Sequence, residues 1–442
     1  MRTRAGLAIG LAVVVGLPTL SLVDPVETPA TQPSTSHPVG LAAASVRESG
    51  PLRTDYIRDG EYWLDQYGIR SAWKTSQGKG VTIAVIDTGV DSTHPDLAGA
   101  VTGGIDFSGR GAKNGQRPVG GEGSDHATMV ASLAAGRGTG AGVGVIGSAP
   151  KANILSISIG FGAGTTDSDD EVAKAVTWAA DHGAKVINMS LTRNTLSWPE
   201  SWDKAFLHAM QKDVVIVAAA GNRGSGTASV GAPATMPGVL TVAGVDRNGK
   251  ASLDASAQGI TIGVSAPSEQ LLGAVPGGGY VNWAGTSGST PIVAGVVALV
   301  RAKYPTMNAA NVINRIIATA KPAGAKGADP IYGFGLLNAD AAVNATVKPV
   351  TANPMGSLAS WIRINRRAVP TATPTIAPAA PATPQPSSAR ATPSDPMGSL
   401  YPTPTQLRTV GIPLGVLLIF ALLAAGLVVG AVRHYRSLRR RD

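Results

Sequence analysis

The sequence of 442 residues contains no cysteine, so no disulfide scaffold can support its fold. Charged residues are scarce at 15%, and 55 glycines and 31 prolines interrupt the chain, which together exclude a long coiled coil. No repeat of about 20–50 residues is visible, which argues against a solenoid. The hydrophobic share of 44% is ample for one large core that is stable without covalent cross-links.

The net charge of +9 is unevenly distributed along the chain. Residues 5–345 contain 24 basic and 26 acidic residues, so this main body carries a net charge of −2. The excess of positive charge lies in the first four residues (+2), in residues 346–409 (+5) and in the last ten residues (+4). A nucleic-acid-binding protein needs a basic surface on its folded body. We therefore expect no nucleic-acid partner.

Apolar segments near both ends of the chain predict export and membrane anchoring. Residues 1–28 resemble a secretory signal peptide with no clear cleavage site, and an uncleaved anchor is the alternative. Residues 410–432 contain no charge over 23 positions, enough for one transmembrane helix. A buried core helix is disfavoured there, because a soluble helix seldom lacks a polar face for that long. Residues 433–442 form a basic tail, so the positive-inside rule predicts a single-pass cell-membrane protein with an extracytoplasmic body.

Composition divides the chain between these ends into four segments. Residues 29–48 are predicted to be disordered, residues 49–78 form an N-terminal extension, and residues 79–345 form one folded domain. Residues 346–409 are predicted to be a Pro/Thr/Ala-rich stalk. This composition, densest between Pro370 and Pro404, cannot bury enough apolar surface to order itself.

Short apolar runs alternate with helical patterns through the folded domain. Buried strands are predicted at Val81–Asp87, Ile154–Ile159, Lys185–Leu191, Val214–Ala220, Val239–Val245 and Ile260–Val264. Helices are predicted at Glu171–His182, Trp202–Gln211, Ser287–Ala302 and Ala309–Ala320. This alternation predicts an α/β fold with a mostly parallel sheet covered by helices on both faces.

Two motifs suggest ligands but have simpler interpretations. Gly142–Gly147 matches the spacing G-x-G-x-x-G, but it precedes a strand instead of joining a strand to a helix, so we interpret it as a loop. The acidic cluster Asp167–Glu171 is compatible with a calcium site. We prefer a helix start there, because Ser168 and Glu171 have the spacing of a capping box. The sequence thus implies no cofactor and no metal.

Polar side chains stand where predicted strands and helices meet. Asp87 ends a wholly apolar strand, where a carboxylate is buried only with partners such as a histidine N–H. His126 opens an apolar helix. Ser287 lies at another helix start, where free backbone N–H groups stabilise a developing oxyanion. Asn222 follows a buried strand and offers an amide to the same site. Each residue alone is better explained as an ordinary cap or turn, because polar residues are common at such junctions.

Together these segments resemble the subtilisin-like serine proteases, whose members carry D-[ST]-G, H-G-T and G-T-S-x-x-x-P in this order. The corresponding segments here are Asp87-Thr-Gly89, His126-Ala-Thr128 and Gly285-Thr-Ser287-Gly-Ser-Thr-Pro291. The resemblance implies a subtilisin-like fold and an endopeptidase in which Asp87 orients His126, His126 is the general base and Ser287 is the nucleophile. It also implies that Asn222 belongs to the oxyanion hole and that Ser190 and Leu191 bind a protein or peptide substrate.

The signal peptide, stalk and single span are similar to those of the mycosins, membrane-anchored subtilisin-like proteases associated with type VII secretion. This resemblance implies secretion-system membrane components as partners. It also leads us to expect that the N-terminal segment lies along the body instead of forming a separate inhibitory domain.

The sequence departs from the family pattern at four positions, which are Ala127, Thr192, Gly288 and Ser289. Ala127 and Thr192 stand where glycine is expected, and both are predicted to lie close to the substrate. Gly288 and Ser289 replace a bulkier residue and an alanine. The mycosins also commonly have cysteine pairs, which this chain lacks. The departures motivate an alternative function, a catalytically impaired scaffold or stabilising subunit of a secretion complex.

Overall fold

A computed structural model describes residues 55–120, 124–160 and 168–366. The predicted signal peptide, disordered segment, membrane span and basic tail lie outside these residues. Within the described ranges no helix is both long and apolar enough to cross a membrane.

Seven strands form a parallel sheet. They are β1 (Thr82–Asp87), β2 (Val101–Asp106), β3 (Asn153–Ser158), β4 (Val186–Met189), β5 (Val215–Ala219), β6 (Leu240–Val245) and β7 (Ile262–Pro267). Their order across the sheet is β2-β3-β1-β4-β5-β6-β7. Strands β8 (Leu271–Val275) and β9 (Gly279–Trp283) form a separate antiparallel hairpin.

Ten α-helices accompany these strands in the described part of the chain. They are α1 (Tyr56–Gly60), α2 (Trp63–Gln66), α3 (Ile69–Ala72), α4 (His126–Ala135), α5 (Ser168–Asp181), α6 (Glu200–Gln211), α7 (Thr286–Lys303), α8 (Ala309–Ala318), α9 (Ala339–Asn344) and α10 (Leu358–Asn365).

Each face of the sheet carries its own apolar core, because successive side chains of a strand point to opposite faces. In β1, Ile83 and Val85 lie in the core that includes α2, α3, α4, α7, α8 and α9. Ala84 and Ile86 lie in the core that includes α5, α6 and the start of α10. The predicted α/β fold, with a mostly parallel sheet and helices on both faces, is confirmed.

Helix α7 is buried almost throughout its length. Every residue from Gly288 to Arg301 is buried, and the helix contacts strands β1, β4, β5, β6 and β7. Its small and apolar residues allow this close packing, since Gly295 lies against Ser148 and the backbone of Ala134. The first turn of α7 is thereby fixed beneath the loops that follow the strands.

The sequence missed the strands β2, β8 and β9. Strand β2 lies at the edge of the sheet and is mostly half-buried, while β9 is largely half-exposed. The sequences of these two strands therefore lack the apolar pattern that identifies a central strand. Strand β8 is apolar and mostly buried, but it is only five residues long and lies outside the parallel sheet.

The described part of the N-terminal extension lies along the folded domain, as expected. Trp63, Leu64 and Ile69 are fully buried in the same core as α7. The Arg58 guanidinium donates hydrogen bonds to the carbonyl oxygens of Gly144 and Val143 at 3.0 and 2.9 Å. Residues 55–72 are therefore part of the folded unit.

The predicted start of the stalk at residue 346 is too early. Leu358 is buried, and the rings of Trp361 and Trp198 lie 4.3 Å apart. Arg366 Nε donates to Asp203 Oδ2 at 2.7 Å. Residues 346–366 contain these apolar and basic anchors, whereas the dense proline composition begins only at Pro370. The packed chain therefore extends at least to residue 366.

Arg366→Ala tests this extended boundary. The substitution removes the ionic partner of Asp203, whose side chain is only 5% exposed. We expect the free energy of unfolding to fall by about 1–2 kcal/mol. The loss is smaller than for a fully buried ion pair, because the Arg366 side chain is 28% exposed and solvent screens its charge. Urea unfolding of the purified protein measures the effect. The exposed Arg363 on the same helix is the matched control, and equal stability of the Arg363→Ala and Arg366→Ala proteins would contradict the boundary.

Candidate active site

Asp87 and His126 form a hydrogen-bonded pair at the carboxyl end of β1. His126 Nδ1 lies 2.9 Å from both Oδ1 and Oδ2 of Asp87. Asp87 is fully buried and also accepts a hydrogen bond from the Thr88 backbone N–H at 2.7 Å. With Nδ1 donating to the carboxylate, the neutral imidazole keeps its Nε2 lone pair free to accept a proton.

The pKa of His126 is raised above its ordinary value. Burial lowers this pKa, but the charge of the Asp87 carboxylate, its hydrogen bond to the ring and the charge of Asp125 together outweigh burial. The His126 side chain is 27% exposed, so a substrate can reach the ring.

Ser287 is the second residue of α7, and its hydroxyl points back to the end of β4. Ser287 Oγ donates to the Ser190 carbonyl oxygen at 3.2 Å. In return, Ser190 Oγ donates to the Ser287 carbonyl oxygen at 2.8 Å. Among the described contacts no hydrogen bond joins Ser287 to His126. The hydrogen bonds of the structure therefore form two separate pairs. Ser287 is paired with Ser190, and Asp87 is paired with His126.

Asn222 is oriented by the first residue of α7. Its Oδ1 accepts hydrogen bonds from the Thr286 backbone N–H at 2.8 Å and from Thr286 Oγ1 at 2.9 Å. Because Oδ1 is occupied by these donors, the Nδ2 amide is turned toward the opposite side, where Gly285 leaves room for it. Asn222 thus presents an N–H donor one residue from Ser287.

The predicted substrate-binding residues differ in their surroundings. Ser190 is buried beside Ser287, and Asn188 Nδ2 donates to its hydroxyl at 3.0 Å. The Leu191 side chain packs partly against the apolar core on the α5 and α6 face of the sheet. The Leu191 side chain is half-buried, and its role in peptide binding stays a prediction.

Three supporting residues were not identified from the sequence. Thr88 Oγ1 donates to the Ser124 carbonyl at 3.0 Å and accepts from the Ala127 N–H at 3.2 Å, which fixes the start of α4 to the end of β1. Thr286 orients Asn222 as described above. Trp283 contacts the His126 ring edge to face, with centroids 5.9 Å apart. The motifs D-T-G and G-T-S contain both threonines, but only the fold reveals their partners.

Residues 78–335 match the subtilase family of peptidases. This segment covers more than half of the chain and contains all four predicted catalytic and oxyanion residues. The chain belongs to the subtilase family. It is a subtilisin-like serine endopeptidase by this membership.

Curated relatives and solved structures agree with the family. The chain is 36% identical to thermitase from Thermoactinomyces vulgaris over 66% of its own length and 96% of that protein. It is 36% identical to subtilisin E from Bacillus subtilis (strain 168), over 67% of its length and 74% of the relative.

Two solved mycosins have a similar fold. MycP1 from Mycobacterium smegmatis aligns with a TM-score of 0.55 at 32% identity, covering 65% of this chain and 85% of that one. MycP3 from a type VII (ESX-3) secretion system aligns with a TM-score of 0.55 at 30% identity, covering 64% and 88%. The resemblance to mycosin-like subtilisins is confirmed.

Two of the departures from the subtilase pattern are explained by packing. The Ala127 side chain is fully buried in the core, so the expectation that its methyl group lies close to the substrate is wrong. Ser289 Oγ donates to the Pro267 carbonyl oxygen at 2.8 Å, so its buried hydroxyl is satisfied. Neither residue obstructs the site.

The third departure, Gly288, makes room for Leu271 and Trp283. A Cβ atom at position 288 would overlap a methyl group of the buried Leu271 and would lie 3.3 Å from the Trp283 ring. The Leu271 side chain therefore occupies most of the space into which residue 288 would otherwise project, and the Trp283 ring beside it also contacts His126.

The two ligand-like motifs of the sequence have structural roles. Gly144 lies against the carboxylate of Asp96, which accepts a hydrogen bond from the Val145 N–H at 2.7 Å, so this loop needs glycine for packing. Helix α5 begins at Ser168, and Glu171 accepts a hydrogen bond from the Gly160 N–H at 2.6 Å. The predicted helix is present with its acidic residues in the first turn, but it includes Ser168, and the bond of Glu171 is not that of a capping box.

A double-mutant cycle tests the packing of Leu271 on Gly288. Gly288→Met restores a bulky residue, and we expect overpacking to lower the free energy of unfolding by about 1–3 kcal/mol. In the Leu271→Ala background the same change should cost less, because the methyl group that a side chain at position 288 would meet is then absent. Urea unfolding of the four proteins measures the coupling. Additive effects would show that the two positions do not compete for one space.

Proposed function

We propose that this subtilase is a membrane-anchored extracytoplasmic endopeptidase that cleaves proteins through an Asp87-His126-Ser287 triad. The observation that carries the proposal is the buried Asp87 carboxylate bound to His126 Nδ1, with Ser287 and the Asn222 amide at the adjacent start of α7. These groups lie on different elements of the fold. Residues that served only as helix caps or turns would not be expected to meet at one place.

The reaction follows from these positions. Ser287 Oγ attacks the carbonyl carbon of the scissile bond while His126 Nε2 accepts the hydroxyl proton, and Asp87 stabilises the resulting imidazolium. The Asn222 amide and the Ser287 backbone N–H bind the oxyanion. His126 then gives the proton to the leaving amine, which leaves an acyl-enzyme on Ser287. Water, activated by His126, releases the acid and restores Ser287.

One side-chain rotation prepares the nucleophile. In the structure Ser287 Oγ donates to the Ser190 carbonyl oxygen. The proposed mechanism requires a χ1 change that turns this hydroxyl toward His126, and catalytic hydrogen bonds of this kind often tighten only when substrate binds.

The same observation supports a second function, a scaffold of subtilisin fold with impaired turnover. Such a protein would keep Ser287 bonded to Ser190, and Thr192 would block the substrate. Labelling of the serine distinguishes the two functions.

A fluorophosphonate probe tests the nucleophile. The full-length protein should be labelled at Ser287 at mildly alkaline pH, where His126 is neutral. Ser287→Ala should abolish the label, and Ser289→Ala should retain it because Ser289 is bonded inside the core. A properly folded protein that does not react would favour the scaffold.

The pH dependence tests the base. Because protonated His126 cannot accept a proton, kcat/KM should fall as the pH drops through its pKa. The midpoint should lie above the ordinary value of about 6.5, since the Asp87 and Asp125 charges outweigh burial.

Asp87→Asn provides the matched comparison. It should move this midpoint to lower pH and reduce kcat on the order of 10⁴-fold, because an amide no longer holds His126 in the tautomer that leaves Nε2 free to accept a proton. Asp125→Asn should move the midpoint in the same direction but less. An unchanged midpoint in Asp87→Asn would contradict the assigned pair.

Membrane anchoring is supported by the sequence of residues 410–432 and by the arginines that follow. Protease added to intact cells should release the folded body by cutting between Pro370 and Pro404. Immunoblotting of the medium measures release, and a cytoplasmic protein serves as the control for lysis. Retention of the whole body inside the cell would overturn the proposed orientation.

Association with a type VII secretion system is supported by the likeness to MycP1 and MycP3. Secretion-system membrane components are the proposed partners. Cells that carry only the Ser287→Ala protein distinguish two roles. Lost secretion indicates that cleavage is needed, whereas normal secretion indicates a structural contribution.

A further inference from the structure

The space beside Asn222 and Ser287 lies between two loops at the carboxyl edge of the sheet. One loop follows β4, and its Ser190 carbonyl oxygen accepts the hydrogen bond from Ser287. The other follows β5, and its Gly221 N–H donates to Thr286 Oγ1 at 3.1 Å. A scissile carbonyl group held by Ser287 and Asn222 must have its own α-carbon between these loops. The substrate residue that contributes the scissile carbonyl group is called the acyl-side residue below. Its side chain then enters the gap between the two loops.

Thr192 already fills this gap. A Cβ atom on Gly221 would lie 3.3 Å from the Thr192 methyl group and 2.5 Å from the Thr227 methyl group. On the other side, a Cβ atom on Gly231 would lie 2.8 Å from Thr192 Oγ1. Thr192 is half-buried, and its side chain lies between these two glycines and bridges the two loops.

Backbone hydrogen bonds hold Thr192 in this position. The Arg193 N–H donates to the Ala232 carbonyl at 2.7 Å, and the Ala232 N–H donates to the Thr195 carbonyl at 2.9 Å. Thr192 Oγ1 also donates to the Arg193 carbonyl at 3.1 Å. The loop after β4 is thus tied to the segment of Gly231, and the branched side chain has little freedom to rotate away.

We propose that Thr192 closes the acyl-side pocket, so that the enzyme cleaves after residues with small side chains, namely glycine, alanine and serine. This inference rests on the proposed function, because it assumes that Ser287 and Asn222 hold the scissile carbonyl. A larger side chain would have to displace Thr192 and break the hydrogen bonds of its loop. Each methylene in a closed pocket changes discrimination by about 10–200-fold.

Peptide p-nitroanilides that differ only in the acyl-side residue test the pocket with the full-length detergent-solubilised enzyme. The wild type should have at least about a tenfold higher kcat/KM for alanine than for phenylalanine. Thr192→Gly should raise the phenylalanine-to-alanine ratio by at least about tenfold. Thr192→Val keeps the branched shape, and its ratio should stay close to that of the wild type.

Thr195→Gly is the matched control, because it also places glycine in this loop but its side chain is exposed and lies outside the gap. Its ratio should equal that of the wild type, and a rise there would mean that loop flexibility, not the pocket, sets the preference. Each protein is first labelled with the fluorophosphonate probe. A labelled wild type that prefers phenylalanine, or a labelled Thr192→Gly enzyme with an unchanged ratio, overturns the pocket inference alone. Absence of label in folded wild type and folded variants overturns the proposed function and the inference with it.

Discussion

The architecture of the site depends on the burial of one carboxylate. Asp87 has no exposed surface, and an unpaired charge in such a position costs several kcal/mol. Both of its oxygens lie 2.9 Å from His126 Nδ1, and the Thr88 N–H supplies a further bond. The need to satisfy this charge fixes the end of β1 against the start of α4, so the position of His126 follows from a requirement of the core.

A second anchor places the nucleophile. Thr286 bonds to Asn222 and to the Gly221 N–H, which connects the start of α7 to the end of β5. Because α7 is buried almost along its whole length, it has no freedom to shift relative to the sheet. The two anchors lie at the same edge because all seven strands are parallel, so their carboxyl ends meet there.

The departures from the family pattern differ in meaning because their side chains point to different places. Ala127 joins the core, and Ser289 satisfies its hydroxyl within it. Gly288 leaves its space to Leu271 and to Trp283, whose ring also contacts the His126 imidazole. Only Thr192 lies in the gap between the two loops of the site. Substitutions that look alike in the sequence therefore divide into packing changes and one change that bears on substrate choice.

The sequence by itself determined the alternation of strands and helices, the order of the motifs and the choice of Asp87, His126, Ser287 and Asn222 as candidate site residues. These features rest on local apolar periodicity and on short motifs, which can be read along a chain. Only the tertiary structure decided that residues 346–366 belong to the folded unit, that β2, β8 and β9 exist, and where Trp283 and Thr192 lie. No local apolar period encodes these features, because β2 and β9 are half-exposed, β8 is a short strand that pairs only with β9, and single side chains leave no periodic signal.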